Sequence, residues 1–379
     1  MIRAQLLLLT LLAFSCSHTS NAEQEDSNQI VQTPPDTVID IHSYYKEQAV
    51  VQAKVDSVFN SMSNSDRVAQ LIMPAVGPYG QEKSTIDELI NEGKIGGLLL
   101  LNGTKDQFTE WVKEFELKNK ELGKLPFLYS ADAEPTLVNR KIKGTKPVSK
   151  AVDINTEEDA RKSAEMISAE LNAIGINYNF APVVDLGGNA TVGYRGFGKN
   201  PENIIPFSNV FIEETQARNI IATAKHFPGH GLVSGDTHKS LQVIDGELKE
   251  LKYYPPLIEN NVLSIMVAHI AVQNNTEFNT NGMPATTSHK IVTELLRDSL
   301  GFEGLIVTDA MNMGGVAKVK DASLLAIKAG CDIILMPLDA RKSHERLLNQ
   351  YETDDSVRSR VDESAKRVIR MKVCLGLID

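Results

Sequence analysis

Continuous apolar runs, not alternating ones, punctuate this chain at regular intervals. That pattern restricts its fold more than any other feature. The runs are "IGGLLLL" (95–101), "LPFLYSAD" (125–132), "INYNFAPVVDL" (176–186), "IIATAKHF" (220–227), "SIMVAHIAV" (264–272), "GLIVTDAM" (304–311) and "CDIILMP" (331–337), with a weaker one at "LIMPAV" (71–76). An alternating run leaves one face in water, whereas a continuous run marks a strand buried on both faces, as in parallel sheets covered by helices. Helical periodicity fills the gaps. Ala160, Ala164, Ile167, Leu171 and Ile174 share one helical face, with Asn155 and Glu158 as a capping-box-like start and Gly175 as a stop. Similar patterns cover 201–218, 250–261, 289–300, 321–329, 339–351 and 355–375. Roughly eight strands alternating with helices predict an α/β fold, a (β/α)8 TIM-type barrel over residues 49–379. A doubly wound open sheet is the competitor. It lacks support, because no G-x-G-x-x-G follows the first strand and no Walker loop occurs.

The first 48 residues read differently. "MIRAQLLLLTLLAFSCS" holds one Arg, an apolar run from Leu6 to Phe14, and small residues around Cys16. The run is too short to span a bilayer and has the build of an export signal. "AFSC" resembles a lipobox, so residues 1–16 are expected to be a lipoprotein-type signal with Cys16 as the lipidated residue. An ordinary cleaved signal peptide is the alternative. Residues 17–48 are polar and aperiodic and read as a flexible tether. The expected location is therefore exported, membrane-anchored through lipid, facing the periplasm or the cell surface. The net charge of −10 gives no reason to expect a nucleic-acid partner. Cys331 and Cys374 lie far apart in apolar surroundings, without metal-ligand or disulfide spacing.

In a barrel, chemistry collects at the C-terminal ends of the strands. Here those ends carry Asp132, Asp185, Lys225–His226, His269 and Asp309. One buried Asp at a strand end is often a helix cap. Five strands aiming ionisable groups at one face need a partner or a function. The stretch "KHFPGHGLVSGDTHKSL" (225–241) adds a loop with three histidines. His226 and His230 have i, i+4 spacing, but Pro228 and Gly229 forbid the helix that would make this a metal pair. No metal and no organic cofactor are expected. No G-x-S-x-G elbow supports a serine nucleophile. Proton transfer remains. Asp236 and His238 can meet across one residue, so that the carboxylate fixes the imidazole tautomer and leaves the other nitrogen to exchange a proton. Gly231 and Gly235 would let this loop move. Lys225 is suited to hold a substrate hydroxyl or carbonyl, or to pair with a neighbouring Asp.

"KHFPGHG" followed by "GDTH", together with "GLIVTDAMNMGGV" (304–316), "NYNFAPVVDL" and "GYRGFG", resembles the glycoside hydrolase family 3 β-N-acetylglucosaminidases. The resemblance runs from about 59 to 379. It implies a retaining glycosidase that releases terminal β-linked N-acetylglucosamine from glycans such as peptidoglycan fragments. On it, Asp309 resembles the nucleophile, His238 the general acid/base and Asp236 the residue orienting it. Asp132, Arg140, Arg195, Lys225 and His226 resemble the sugar-holding residues. One departure lies in the site itself. Where the family reads D-Q-E-G-G-R-V-Q-R, this chain reads "DAEPTLVNR" (132–140), with Pro135 and Thr136 for the paired glycines and Leu137 for the inner Arg. The shape of the far subsite therefore stays open. The family resemblance ends with the barrel, so a single-domain form is expected. Three rivals stand beside this reading: a family 3 β-glucosidase, a non-catalytic glycan-binding lipoprotein, and a metal-dependent hydrolase.

Overall fold

The computed structural model describes residues 39–378. The expected signal segment, Cys16 and most of the expected tether lie outside these residues. The strands fall where the apolar runs are: β1 (Ile72–Met73), β2 (Ala75–Val76), β3 (Gly97–Leu100), β4 (Leu128–Ala131), β5 (Tyr178–Asn179), β6 (Ile221–Phe227), β7 (Ser264–Val267), β8 (Leu305–Thr308) and β9 (Ile334–Leu335). Strands β2 to β8 lie side by side in chain order, all parallel, in one curled seven-stranded sheet. Every residue of β3, β4, β6, β7 and β8 is buried, as continuous apolar runs require.

The eight-stranded closed barrel is not formed as one ladder. β1 pairs with β9 in a separate two-stranded piece, joined to β8 by a single bridge at Val307–Ile333. Two local causes are visible. Pro74, which has no N–H to give, splits the first run into β1 and β2. On the other side the Leu335 N–H goes to the Thr308 hydroxyl (3.0 Å) instead of a backbone carbonyl.

Helices cover the outside. Glu157–Ile174 packs on Pro201–Gln216, and Ala49–Ser61 packs on Asp355–Cys374. The expected cap at Asn155 sits one residue later: the Thr156 hydroxyl accepts the Asp159 N–H at 3.1 Å. The Lys290–Ser299 segment is wound as a π-helix, with the Leu300 N–H reaching the Leu295 carbonyl at 2.9 Å. The folded unit already includes residues 39–48, ahead of the expected boundary at 49. Ile41 and Tyr44 are buried, Arg370 Nε donates to the Tyr44 carbonyl at 2.7 Å, and Tyr45 Oη donates to the Val262 carbonyl at 2.6 Å. Residues 39–48 are thus packed structure rather than tether. Among the described residues no helix is long and apolar enough to cross a membrane.

Candidate active site

At the C-terminal ends of the strands lies a cavity of about 870 Å³. Asp132, Arg140, Arg195, Lys225, His226, His238 and Asp309 all line it. Asp236 does not, but it is bonded to His238.

Strand β6 delivers Lys225 and His226 together. A regular strand would send consecutive side chains to opposite faces. Here the register against β7 slips, with Met266 opposite Lys225 and Val267 opposite Phe227, so His226 is the extra residue of a bulge. Lys225 is almost fully buried. Its Nζ donates to Asp132 Oδ1 at 3.0 Å and lies 2.6 Å from Glu134 Oε1. Glu134, wholly buried, also takes the Arg195 fork, at 2.9 Å from Nε and 2.5 Å from the terminal nitrogen. Burial would raise the carboxyl pKa of Asp132, but Lys225, Lys141 and Arg195 outweigh it and hold the group well below the usual carboxylate range. Glu134 behaves likewise, burial being outweighed by Arg195 and Lys225. Both are ionised, and the network is a charge-balanced cradle with hydrogen-bonding capacity left on Asp132.

His226 is oriented from below. Asp185, fully buried, accepts its ring Nδ1–H at 2.6 Å and its backbone N–H at 3.2 Å, and also the His230 N–H at 2.8 Å. Among the described residues His226 Nε2 has no hydrogen-bond partner, and His226 lines the cavity. Asp185 therefore positions the His226 end of the strand.

Asp309 follows β8. Its Oδ1 accepts the Ala310 N–H at 2.8 Å, and its own N–H goes to the Val267 carbonyl at 2.9 Å. Burial would raise its pKa, but neighbouring His226 and the Ala310 N–H outweigh that, so the carboxylate is ionised. His269 braces the same turn. Its Nε2–H donates to the Ala310 carbonyl at 3.0 Å, so Nδ1 accepts the Thr286 hydroxyl at 2.8 Å. Burial lowers its pKa and keeps it neutral. His269 ends a strand as expected, but it serves the backbone next to Asp309.

The Asp236–His238 pair forms as the spacing suggested. Asp236 Oδ1 accepts both the ring Nδ1–H of His238 (2.8 Å) and its backbone N–H (3.0 Å). Among the described residues the imidazole Nε2 has no hydrogen-bond partner, and His238 is more than half exposed at 57%. Burial would raise Asp236, but these bonds outweigh it and lower its pKa. The loop is held at several points. Asn189 Nδ2 donates to the Val233 (2.6 Å) and Gly235 (2.8 Å) carbonyls, and the Gly314 and Gly315 N–H groups reach His238 O (2.9 Å) and Thr237 O (3.0 Å). His230 braces the loop from inside: it is buried, and its Nε2 pairs with the Thr237 hydroxyl at 2.9 Å.

Glu250, which no sequence pattern singles out, anchors the loop's root. Its carboxyl accepts the Leu186 N–H at 2.7 Å and the Leu232 N–H at 3.1 Å. Burial, with the charge of Asp185, pushes it up to about 7. Gly231 is needed there, since a Cβ would lie 2.0 Å from the Leu186 carbonyl oxygen and 2.6 Å from Glu250 Oε1.

The altered 132–140 segment forms one wall of the cavity. Arg140 lines the cavity but is exposed, and among the described residues its side chain makes no hydrogen bond or ion pair. Its neighbour Lys141 bonds Asp132 Oδ2 at 3.3 Å. The residue replacing the family's second glycine, Thr136, holds two segments together. Its hydroxyl donates to the Tyr194 carbonyl at 3.1 Å and accepts the Ala151 N–H at 3.0 Å. The described residues gather no group of three or more His, Cys, Asp or Glu side chains that could hold a metal.

Beta-hexosaminidase A of Pseudoalteromonas piscicida is 29% identical over 335 residues, covering 76% of this chain and 55% of that protein. The solved structure of a glycoside hydrolase family 3 beta-N-acetylglucosaminidase from Paenibacillus sp. str. FPU-7 superposes with a TM-score of 0.76 at 28% identity, covering 84% of this chain and 63% of that one. A beta-N-acetylhexosaminidase from Beutenbergia cavernae DSM 12333 superposes with a TM-score of 0.73 at 27% identity, covering 81% and 98%. This chain thus spans less than two thirds of the first two relatives. The Glycosyl hydrolase family 3 N terminal domain profile matches residues 63–371, and the chain belongs to that family.

Proposed function

We propose that the protein is a retaining glycoside hydrolase that releases terminal β-linked N-acetylglucosamine, with peptidoglycan-derived fragments as its natural substrates. One observation carries the reading. An ionised carboxylate on a strand end, Asp309, and a loop-borne Asp236–His238 dyad open onto the same cavity as the Asp132–Lys225–Glu134–Arg195 cradle. The relatives' names, beta-hexosaminidase and beta-N-acetylglucosaminidase, point to the same sugar. In the mechanism that follows, the cradle holds the sugar's hydroxyls. Asp309 attacks the anomeric carbon while His238 Nε2–H protonates the departing oxygen. His238 then removes a proton from water, which displaces Asp309 and restores the original anomeric configuration. Most retaining glycosidases use two carboxyl groups for these steps. Here an imidazole oriented by Asp236 performs both proton transfers.

The test is hydrolysis of nitrophenyl β-N-acetylglucosaminide against nitrophenyl β-glucoside, each with and without chelator. Preference for the glucoside would move the protein to the β-glucosidase reading, and loss of activity with chelator would make it a metal enzyme. We also propose export and attachment to a membrane through lipid on Cys16. A Cys16→Ser protein should move to the soluble fraction. A wild-type protein already soluble, with an unmodified Cys16 by mass spectrometry, would refute the anchor.

A further inference from the structure

The short helix Val138–Lys141 sits over the cradle, and it turns only one of its two cations toward Asp132. Successive residues on a helix point about 100° apart, so Arg140 and Lys141 cannot both face the same carboxylate. The backbone decides between them. Val138 and Ile142 are buried on either side of the pair. Asn139 ties the segment to the turn that follows, accepting the Val148 N–H at 3.0 Å and donating to the Lys146 carbonyl at 2.7 Å. Ile142–Lys143 then pairs with Gly103–Thr104. With the helix so fixed, Lys141 faces Asp132 Oδ2 at 3.3 Å, and Arg140 projects outward along the cavity rim.

We infer that Lys141 is a substrate-positioning residue that reads a pair of adjacent hydroxyls on the bound sugar together with Asp132 and Lys225. The inference rests on the reading of this cavity as a sugar site. Asp132 has one oxygen against each ammonium, Lys225 at 3.0 Å and Lys141 at 3.3 Å. Each ammonium has three N–H donors; Lys141 spends one on Asp132, Lys225 spends one on Asp132 and one on Glu134, and a carboxylate has about four acceptor sites. The open edge of the group therefore runs donor, acceptor, donor. A vicinal diol complements that edge, because each hydroxyl can donate to the central carboxylate and accept from the flanking ammonium. Asp132 and Lys141 are each 20% exposed, open enough to touch a ligand and enclosed enough for charge-assisted bonds to count. A lysine offers a single point charge in place of an arginine's flat two-pronged fork, so it selects for one hydroxyl oxygen rather than two.

The test compares Lys141→Ala, Lys141→Arg and Arg140→Ala on nitrophenyl β-N-acetylglucosaminide and on its 3-, 4- and 6-deoxy analogues. Nitrophenyl β-glucoside is run in parallel. Loss of a hydrogen bond to a charged group corresponds to a fall of about 10- to 100-fold in kcat/KM. Lys141→Ala should show that fall, at least tenfold deeper than Arg140→Ala, with Lys141→Arg restoring part of it. On the deoxy analogue lacking the partner hydroxyl, wild type and Lys141→Ala should converge. A deeper loss for Arg140→Ala would assign the sugar cation to Arg140 and overturn the inference. So would a Lys141→Ala protein that melts earlier than wild type with normal kinetics, since Lys141 would then be a structural ion-pair partner. If the wild type cleaves only the glucoside, the aminosugar reading falls, while the Lys141 comparison on the glucoside still decides this one.

Discussion

Glu134 carries more of the site than its place in the sequence announces, and Glu134→Gln measures how much. The substitution keeps shape and removes one charge. The carboxylate is wholly buried and faces three donors: Arg195 Nε at 2.9 Å, the Arg195 terminal nitrogen at 2.5 Å and Lys225 Nζ at 2.6 Å. A glutamine would turn an N–H2 toward one of them, and Lys225 and Arg195 would share Asp132 as their remaining anionic partner in the cradle. Were these ordinary neutral bonds, the loss would be about 1 kcal/mol each. Removing one member of a buried ion pair instead costs about 3–5 kcal/mol, because the abandoned charge stays desolvated. An unfolding entropy of about 2.1 cal/mol/K per residue across residues 39–378 converts this to a fall in Tm of roughly 4–7 °C.

The assay is urea unfolding of wild type and variant from pH 4 to pH 8, followed by tryptophan fluorescence and circular dichroism. The sign is fixed by the depressed Glu134 pKa. A depressed carboxylate adds stability above its unfolded value, about 4.3, and loses it as pH falls toward the folded value. The gap between wild type and variant should be full at pH 7 and begin to close below about pH 4.5. A difference under 1 kcal/mol at pH 7 would show that the cradle relaxes around a neutral residue, and the ion-pair argument would be wrong.

On the proposed mechanism, His238→Ala slows a natural disaccharide by about 10²–10⁴-fold. With a nitrophenyl leaving group it gives a burst followed by slow turnover, which azide accelerates. Labelled peptide containing Asp309 is expected by mass spectrometry, and an oxazoline product with unlabelled protein would end the double-displacement scheme. Glu250→Gln tests the loop anchor. The Glu250 pKa is raised to about 7, so its stabilising contribution is present below about pH 4.3 and is lost as pH rises through 7. The permanently neutral variant should be less stable than wild type at pH 5 and recover by about 1–3 kcal/mol relative to it at pH 8. Equal differences at both pH values would mean that Glu250 does not titrate in the folded protein.

What was legible in the sequence, and what was not, follows the range of the forces involved. The strands could be read because burial on both faces demands continuous apolar residues, which is a local property. The polar strand ends could be read for the same reason: Asp132, Lys225, His226, His269 and Asp309 each interrupt or end an apolar run. The Asp236–His238 contact spans two residues and needed no tertiary knowledge. Features resting on distant partners did not show. Tyr44 sits in a polar stretch, and distant partners make residues 39–48 part of the fold: Arg370, 326 residues away, takes the Tyr44 carbonyl, and the Val262 carbonyl takes the Tyr45 hydroxyl. Glu134 looks like any loop carboxylate until Arg195 arrives from 61 residues on. Glu250 was hidden in a helix start whose polar pattern suits solvent. The choice between Arg140 and Lys141 depends on the phase of one helical turn, which spacing from Asp132 does not determine.

The loop and the strand that ends at Asp309 are also not independent parts, as their separation in sequence suggests. The segment that follows Asp309, "AMNMGGV", returns to the dyad. The Gly314 and Gly315 N–H groups bond the carbonyls of His238 and Thr237, and the Ala310 carbonyl is braced by His269. The close approach needs glycine: a Cβ on residue 314 would lie 2.3 Å from the Lys239 carbonyl oxygen and 2.9 Å from that of His238. The dyad loop is therefore tied to the backbone that sets the position of Asp309. That coupling suits a reaction in which one imidazole first gives a proton and then takes one. Both transfers require His238 Nε2 to keep its place relative to a sugar bonded to Asp309, and general acid–base help falls away quickly outside hydrogen-bond reach. The backbone bonds supply the fixed spacing, and the exposure of His238 leaves room for the leaving group to depart and for water to enter.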